Sequence, residues 1–209
     1  MDNIDAILYI NLEHRLDRRQ HILKEISKIC KNNSKIHRID AIKADPGALG
    51  CGLSHIKALE YVLLHPEWNT VLILEDDFTF KSHNQYEILN DINMLLQNSI
   101  NMNMDVALLS HSIYDFKCTD TPHIRVKKIH YSQTTSSYII KRNYIPKLID
   151  VFKDSTDNIK QNGKKHENCI DIYWTRIQPL DNWYAIYPSI GYQYDSYSDI
   201  ENKFVSYKC

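Results

Sequence analysis

The sequence predicts an α/β fold with a mainly parallel central sheet, and three kinds of stretch support this. Residues 70–74 form a short apolar run that leads into three consecutive acids, Glu75, Asp76 and Asp77. Such a run is typical of a strand buried on both faces, as in parallel sheets. Residues 6–11 and 105–110 are similar strand-forming runs, whereas residues 18–31 carry apolar residues at the spacing of a helix with one buried stripe.

The other elements follow from the same two periodicities along the chain. Further strands are predicted at residues 35–39, 124–131, 136–141 and 183–187, where strand-forming residues cluster. Further helices are predicted at residues 53–64, 86–97, 144–152 and 167–177, where apolar residues recur at helical spacing. Pro66 lies just past the helix at 53–64, a common position for proline after a helix end.

Several segments lack both periods and are predicted to be irregular. Residues 41–52 hold Pro46 and three of the five glycines of the chain, residues 98–103 are polar, and residues 111–122 and 192–209 show no clear period. Residues 153–165 are polar with few apolar anchors. Ordering this segment costs conformational entropy that its own contacts would not offset, so we predict a mobile loop at about 153–165.

Length, charge and cysteine usage bound the class of protein. The 209 residues predict a single domain over residues 1–209. A net charge of −1 gives no electrostatic reason to expect a nucleic acid or an anionic membrane as partner. The five cysteines are scattered and form no CxxC pair, so neither a zinc cluster nor a disulfide framework is expected.

The N-terminal apolar run is too short for a signal sequence or a membrane span. Together with the unpaired cysteines, which indicate a reducing compartment, this predicts a cytoplasmic protein without a transmembrane segment. Peripheral membrane association and the oligomeric state stay open.

The three acids after the run at 70–74 are the first candidate site. Neighbouring carboxylates repel one another, and a hard divalent cation such as Mg²⁺ or Mn²⁺ would relieve that repulsion. In an open α/β sheet, acids at the carboxyl end of a strand also lie where ligands bind. The alternative is a solvated acidic turn after the strand.

Two further segments are candidates for contacts with an anion. Arg15, Arg18 and Arg19 follow the first predicted strand, where they either contact a phosphate or form a solvated helix start. The glycine-rich residues 41–52 precede a predicted helix with Ser54 as a possible N-cap and Lys57 one turn in, an arrangement suited to an anion. The same glycines could form only a tight loop, and no dinucleotide or P-loop fingerprint is present.

Four segments taken in order resemble glycosyltransferase family 25, which includes lipopolysaccharide glycosyltransferases and collagen galactosyltransferases. Residues 7–12 (ILYINL) followed by Arg15, Asp17 and Arg18 resemble its opening segment, "YVINL…R.DR". Residues 50–56 (GCGLSHI) look like its "GC..SH" segment, and residues 73–78 (ILEDDF) like its "LEDD" segment. Residues 189–200 are similar to its C-terminal "Q…SDI" segment. The resemblance therefore covers nearly the whole chain.

The resemblance implies a GT-A-type nucleotide-sugar-binding fold in a single α/β domain. It implies transfer of a hexose, galactose or glucose, from a UDP-sugar to a hydroxyl acceptor on a glycan or a hydroxylysine-like side chain. It also implies inversion at the anomeric carbon and dependence on Mn²⁺ or Mg²⁺. Gly52 departs from the family pattern, which often has alanine or another small residue there. The chain is also short beside the two-domain collagen enzymes.

Under this resemblance Asp77 is expected to bind the metal, and Glu75 the metal or the ribose. Asp76 points either to the same site or away from it. Inversion in one displacement needs a base for the acceptor hydroxyl, and Asp171 on the predicted helix 167–177 is the candidate, with a solvated helix acid as the alternative. The other expected nucleotide-sugar contacts are Asn11, Arg15, Asp17, Arg18, Gly50, Ser54 and Lys57.

Two other functions stay open from the sequence. A metal-dependent phosphohydrolase also places acids at strand ends, although a DxD pattern at the first strand is absent. A catalytically inactive binding module of the same fold would bind neither Mn²⁺ nor UDP. His55 is as compatible with a packed or capping histidine as with a functional one.

Overall fold

The structure is a computed structural model that describes residues 3–99, 101–117, 125–198 and 203–205. The strands in these ranges are β1 (Ala6–Asn11), β2 (Ile36–Asp40), β3 (Thr70–Glu75), β4 (Phe78–Phe80), β5 (Val106–Leu108), β6 (Ser112–Lys117), β7 (Val126–Gln133), β8 (Ser137–Lys141), β9 (Trp183–Ile186), β10 (Gly191–Gln193), β11 (Ser196–Ser198) and β12 (Lys203–Val205). The α-helices are α1 (Leu16–Ser27), α2 (Gly47–Leu63), α3 (Gln85–Ser99), α4 (Ile145–Asn162) and α5 (Ile170–Tyr173).

Within the described part of the chain, one central sheet holds eight strands in the order β2-β1-β3-β8-β5-β9-β7-β6. Six of these strands run in one direction, and β7 and β8 run against their neighbours. The mainly parallel α/β fold predicted from the sequence is therefore confirmed. Two smaller pairs, β4 with β10 and β11 with β12, lie outside this sheet.

The core lies on both faces of the sheet because side chains alternate along each strand. In β1, Ala6 and Leu8 pack into one apolar cluster and Ile7 and Tyr9 into the other. The first cluster takes in residues of α2, α4 and α5, and the second takes in residues of α1 and α3. Burial on both faces explains why β1 and β3 are almost continuously apolar in sequence.

The parallel register brings the acids beside the first strand. Ile10 in β1 lies opposite Glu75 in β3, and Asn11 lies opposite Asp40 in β2. The carboxyl ends of these three strands therefore meet at one edge of the sheet. No helix among the described residues is long and apolar enough to cross a lipid bilayer.

The glycine-rich segment is helical where a loop was predicted, which corrects the expected boundary of α2. The helix begins at Gly47, with Pro46 as its extended N-cap residue, so Gly50 lies in its first turn and Lys57 well inside it. Ser54 is not the N-cap: its hydroxyl donates to the Gly50 carbonyl at 2.6 Å and accepts from the Ile42 amide at 2.8 Å. Those bonds dock the segment before the helix onto the helix itself.

Two of the three glycines in α2 serve close packing. A Cβ on Gly50 would lie 2.4 Å from the Ile42 carbonyl oxygen, and a Cβ on Gly52 would lie 2.6 Å from a methyl of Thr156. Gly50 therefore admits the backbone of the segment before the helix, and Gly52 admits α4.

The predicted mobile loop at 153–165 is wrong for most of its length, because α4 continues to Asn162. The residues that face inward are small or aliphatic: Ser155, Thr156 and Ile159 are buried. The Ser155 hydroxyl donates to the Asn168 carbonyl at 2.6 Å, which ties the helix to the segment that precedes α5. Tertiary contacts of this kind compensate for the low apolar content.

Two other expectations of irregular structure need correction. Residues 112–117 form β6, and residues 118–122 of the segment predicted irregular lie outside the described residues. The segment from 192 contains most of β10 and the pair of β11 with β12. Asp199 and Ile200, the end of the C-terminal resemblance, also lie outside the described residues.

Candidate active site

The acids after β3 share a buried arginine. Arg18 Nη1 donates to Asp76 Oδ1 at 2.9 Å and to Asp77 Oδ2 at 3.2 Å. Its Nη2 donates to the Ser196 hydroxyl at 2.6 Å and to the Tyr197 carbonyl at 3.0 Å. The arginine is 9% exposed and the two aspartates 7% and 5%. Arg18 thus joins α1, the acids and β11 in one buried charge network.

The network leaves the cluster with more negative than positive charge. Burial raises the pKa of Asp77 to about 7, with further contributions from the charges of Glu75 and Asp76, and the charge of Arg18 does not offset them. Burial also raises the pKa of Asp76, against the attraction of Arg18 and a hydrogen bond from Asn11. A carboxyl that resists ionisation in this way indicates a site where an added cation would stabilise the ionised carboxylates.

Glu75 turns away from Arg18 and contacts a different set of residues. Its Oε1 accepts from the Thr135 hydroxyl at 2.7 Å and from His55 Nε2 at 3.2 Å. Because a carboxylate only accepts, the hydrogen bond to Glu75 requires a proton on His55 Nε2, and in a neutral ring Nδ1 then accepts from the Tyr138 hydroxyl at 3.1 Å. Burial raises the pKa of Glu75, but the hydrogen bonds from His55 and Thr135, together with positive charge on His55 and Arg18, outweigh it, so the net pKa is lowered. Glu75 is therefore held as a carboxylate.

A cavity of about 390 Å³ opens at this edge of the sheet. Its lining includes the three acids with Arg18, the segment from Ala41 to Asp45 and the start of α2. Apolar side chains lie among the charged ones. The lining residues are Ile10, Asn11, Leu12, Arg18, Ala41, Ile42, Lys43, Ala44, Asp45, Gly47, Gly50, Cys51, Ser54, His55, Glu75, Asp76, Asp77 and Gln193.

The structure brings some of the predicted contact residues to this cavity. Asn11 lines it, donating to Asp76 Oδ2 at 2.7 Å and accepting from Arg38 Nε at 3.2 Å, so its side chain positions Asp76. Arg18, Gly50 and Ser54 also line the cavity. Gly50 has no Cβ, which lets the segment before the helix pack against the helix.

Three predicted contacts are not among the residues that line the cavity. Arg15 pairs with Asp17 through Nε at 3.0 Å and Nη2 at 2.9 Å, and a hydrogen bond from Arg15 lowers the pKa of Asp17 to about 2. Lys57 Nζ donates to the Asp40 carbonyl at 2.8 Å on the exposed side of α2. Arg15 also donates to the Tyr197 carbonyl at 3.1 Å, so these side chains hold the surrounding fold together rather than line the cavity.

The candidate base, Asp171, lies half-buried in α5, close enough to Glu75 for the two carboxyl groups to interact electrostatically. Burial raises its pKa, and the charge of Glu75 adds to the effect, while a hydrogen bond from the Thr134 backbone lowers it. Thr134 has a φ of 72°, a conformation uncommon for a residue with a side chain. Asp171 does not itself line the cavity.

Sequence reasoning missed several side chains that shape the site. Thr135 and Tyr138 hold Glu75 and His55, and Gln193 Nε2 donates to Asp77 Oδ1 at 3.3 Å. Gln193 stands within the segment "Q…SDI", so that resemblance was the signal that could have found it, whereas His55 in "GC..SH" was named with a functional and a packing role both open. For Thr135 and Tyr138 no pattern in the sequence pointed to the site.

Solved structures define the class of fold. A structure of a protein from STIV aligns with a TM-score of 0.51 and 12% identity over 97% of this chain and 93% of that one. The glycosyltransferase GlyE of Streptococcus pneumoniae aligns with a TM-score of 0.50 and 7% identity over 88% of this chain and 45% of its own. UDP-glucose pyrophosphorylase complexed with UDP-glucose aligns with a TM-score of 0.51 and 9% identity over 88% and 90%. The fold is the GT-A-like fold of glycosyltransferases.

Residues 46–162 match the sequence model of glycosyltransferase family 25 (LPS biosynthesis protein). The match covers more than half of the chain, and the chain belongs to this family. No curated protein sequence gives a significant match. Family and fold together support a glycosyltransferase, as the four segments predicted.

Proposed function

We propose that the protein transfers a hexose, galactose or glucose, from a UDP-sugar to a hydroxyl group of a glycan or of a hydroxylysine-like side chain. The transfer inverts the anomeric carbon and depends on Mn²⁺ or Mg²⁺. The observation that carries the proposal is the excess of carboxylates over cations at the half-buried Glu75 and the buried Asp76 and Asp77, at a cavity where the parallel strands end.

The residues of this cluster fit a hard divalent cation. Carboxylate oxygens are the ligands that Mg²⁺ and Mn²⁺ prefer. Asp76 and Asp77 share one guanidinium, and Glu75 adds a third carboxylate next to them in sequence. The raised pKa of Asp77 is a consequence of that imbalance. Asp77 and Glu75 would hold the ion, whose charge would stabilise the leaving diphosphate as a Lewis acid.

The remaining lining of the cavity suits the nucleoside end of a donor. It combines the apolar side chains of Ile10, Leu12 and Ile42 with the charged Lys43 and Asp45. A pocket of mixed character, mostly apolar with a few polar groups, is typical of cofactor and small-molecule sites. The proposal includes uracil as the nucleobase and a hexose as the sugar of the donor.

Inversion in a single step requires direct attack by the acceptor oxygen and a base that takes up the acceptor proton. The acceptor oxygen forms a bond to the anomeric carbon while the bond from that carbon to the diphosphate oxygen breaks, and the electron pair leaves with UDP. The proton of the acceptor hydroxyl passes to the base, for which we propose Asp171. A carboxyl with a raised pKa is a better proton acceptor than an ordinary aspartate.

The test is a screen for UDP release from a panel of UDP-sugars, with Mn²⁺ and with a chelator in parallel. Asp77→Asn is the test variant and Asp17→Asn the matched control, since Asp17 is exposed and its partner Arg15 lies outside the cavity lining. We expect Asp77→Asn to lower release by roughly 10²–10³-fold, the scale seen when one stabilising group for transition-state charge is removed, and Asp17→Asn to leave it near wild type.

Two outcomes would overturn the proposal. Absence of both UDP release and UDP-dependent thermal stabilisation in Mn²⁺ would favour the inactive binding module. Hydrolysis of simple phosphate esters without release of UDP would favour the phosphohydrolase.

A further inference from the structure

A second cluster of ligand-type side chains lies at the cavity, on the side of Glu75 that faces α2. The Cys51 thiol sulfur, an imidazole nitrogen of His55 and a carboxylate oxygen of Glu75 all lie within 4.8 Å of one another. Among the described residues, no other group of three or more His, Cys, Asp and Glu side chains brings its ligand atoms so close together. The proposed glycosyl transfer gives no role to Cys51 or His55.

The secondary structure explains the convergence. Cys51 and His55 are four residues apart in α2, so their side chains share one face of the helix. That face meets the carboxyl end of β3, where Glu75 ends the strand. All three residues line the cavity, so the cluster is reachable by an ion from solvent.

The outer contacts of His55 are those of an oriented metal ligand. Its ring is 1% exposed, with Nδ1 on the Tyr138 hydroxyl and Nε2 toward Glu75. A metal-bound histidine donates its other ring N–H to an acceptor, and a tyrosine hydroxyl can accept as well as donate. Tyr138 therefore supports His55 both in the metal-free tautomer and in the one that a metal on Nε2 requires.

We propose that Cys51, His55 and Glu75 form a site for a soft divalent cation, with zinc as the ion that the ligand set favours. Thiolate and imidazole ligands select zinc over Mn²⁺ or Mg²⁺, which prefer oxygen. Binding releases the thiol proton of Cys51 to solvent and replaces the hydrogen bond between His55 and Glu75 by two bonds to the ion. Three protein ligands leave a coordination position open to the cavity, suited to water or to an oxygen atom of a bound ligand.

The site differs from the hard-cation site proposed above in its chemistry. The hard-cation site rests on Asp77 with Glu75, whereas this one rests on a thiol and an imidazole that would bind manganese weakly. A binding experiment without nucleotide or sugar therefore tests it separately from the proposed transfer reaction.

The experiment is titration of the metal-free, reduced protein with Co²⁺, followed by competition with Zn²⁺. Cobalt bound to a thiolate gives a charge-transfer absorption that reports the Cys51 bond directly. We expect one ion per chain, displacement of cobalt by zinc, and little displacement by Mn²⁺. Cys51→Ala is expected to abolish the absorption, whereas Cys30→Ala, which removes a buried thiol in the apolar cluster on the other face of the sheet, is expected to keep it.

Tyr138→Phe tests the outer contact without removing a ligand. It is expected to weaken zinc binding about 10–100-fold, the loss typical of an outer partner of a metal ligand. The proposal would be overturned by wild-type protein that shows no stoichiometric cobalt–thiolate absorption, or by an absorption that survives in folded Cys51→Ala protein.

Discussion

Removal of the Arg18 guanidinium tests whether it is the built-in counter-charge of the acid cluster. Arg18→Met keeps a long apolar stem and deletes the group that contacts Asp76 at 2.9 Å and Asp77 at 3.2 Å. The substitution leaves two aspartates, 7% and 5% exposed, without this cationic partner. We therefore expect a large loss of stability from the change of a single charged residue in α1.

The magnitude follows from burial. Removing one partner of a buried ion pair costs about 3–5 kcal/mol, because the other charge stays buried and uncompensated. For a chain of this length, about 2–4 °C of melting temperature is lost per kcal/mol, so the expected shift is about 6–20 °C. Protonation of the carboxyls relieves the penalty, so the loss should be smaller at pH 5 than at pH 8, given that Asp77 has a pKa of about 7.

Arg15→Met is the matched control within the same chain. Arg15 also pairs with an aspartate, but the Asp17 side chain is 65% exposed. The Arg15 side chain also donates to the Tyr197 carbonyl at 3.1 Å. An exposed pair contributes about 0–1 kcal/mol and a hydrogen bond about 0.5–1.5 kcal/mol, so the control should lose at most about 2.5 kcal/mol, less than Arg18→Met.

Urea and thermal unfolding of both variants at pH 5 and pH 8, with and without Mn²⁺, give the comparison. Because the proposed Mn²⁺ site exists in both proteins, Mn²⁺ should stabilise both. It should stabilise Arg18→Met more, by about 1.4 kcal/mol for each tenfold gain in affinity that the loss of the guanidinium produces. Equal, small losses for Arg18→Met and Arg15→Met would refute the idea that Arg18 balances buried charge.

Three further predictions concern the base, the packing of α2 and the titration of the cluster. Asp171→Asn should cut transfer by roughly 10²–10⁴-fold while calorimetric UDP-sugar affinity stays near wild type, and near-normal UDP release would remove Asp171 as the base. Gly50→Ala should destabilise by about 1–3 kcal/mol in urea unfolding because its Cβ would meet the Ile42 carbonyl at 2.4 Å, whereas helix propensity alone predicts a gain; a stabilised variant would contradict the clash. The folded chain holds the Asp77 proton to about pH 7 and the unfolded chain only to about pH 3.8, so stability from this group should fall as pH rises from about 4 to 7. Asp77→Asn should remove that part of a pH series of unfolding curves, and an unchanged slope would disprove the assignment.

Local periodicity predicted most of the secondary structure. Burial of both faces leaves a continuous apolar run, as in β1 and β3, and burial of one helix face leaves the stripe seen in α3. The same patterns predicted that the three acids lie at the carboxyl end of β3. Periodicity failed for the second half of α4, since Ser155 and Thr156 look polar in sequence although they are buried against neighbouring elements.

The sequence by itself determined the α/β class, the strand ends that carry the acids, and the resemblance to glycosyltransferase family 25. Only the tertiary structure decided which charges and ligands meet. Arg18 contacts Asp76, which is 58 residues away in the sequence, and His55 contacts Tyr138, which is 83 residues away. Local periodicity does not predict contacts at such sequence separations. The spacing of the cysteines predicted no zinc cluster, yet Cys51 converges with His55 and Glu75, because a site that combines a helix face with a strand end has no characteristic spacing in sequence.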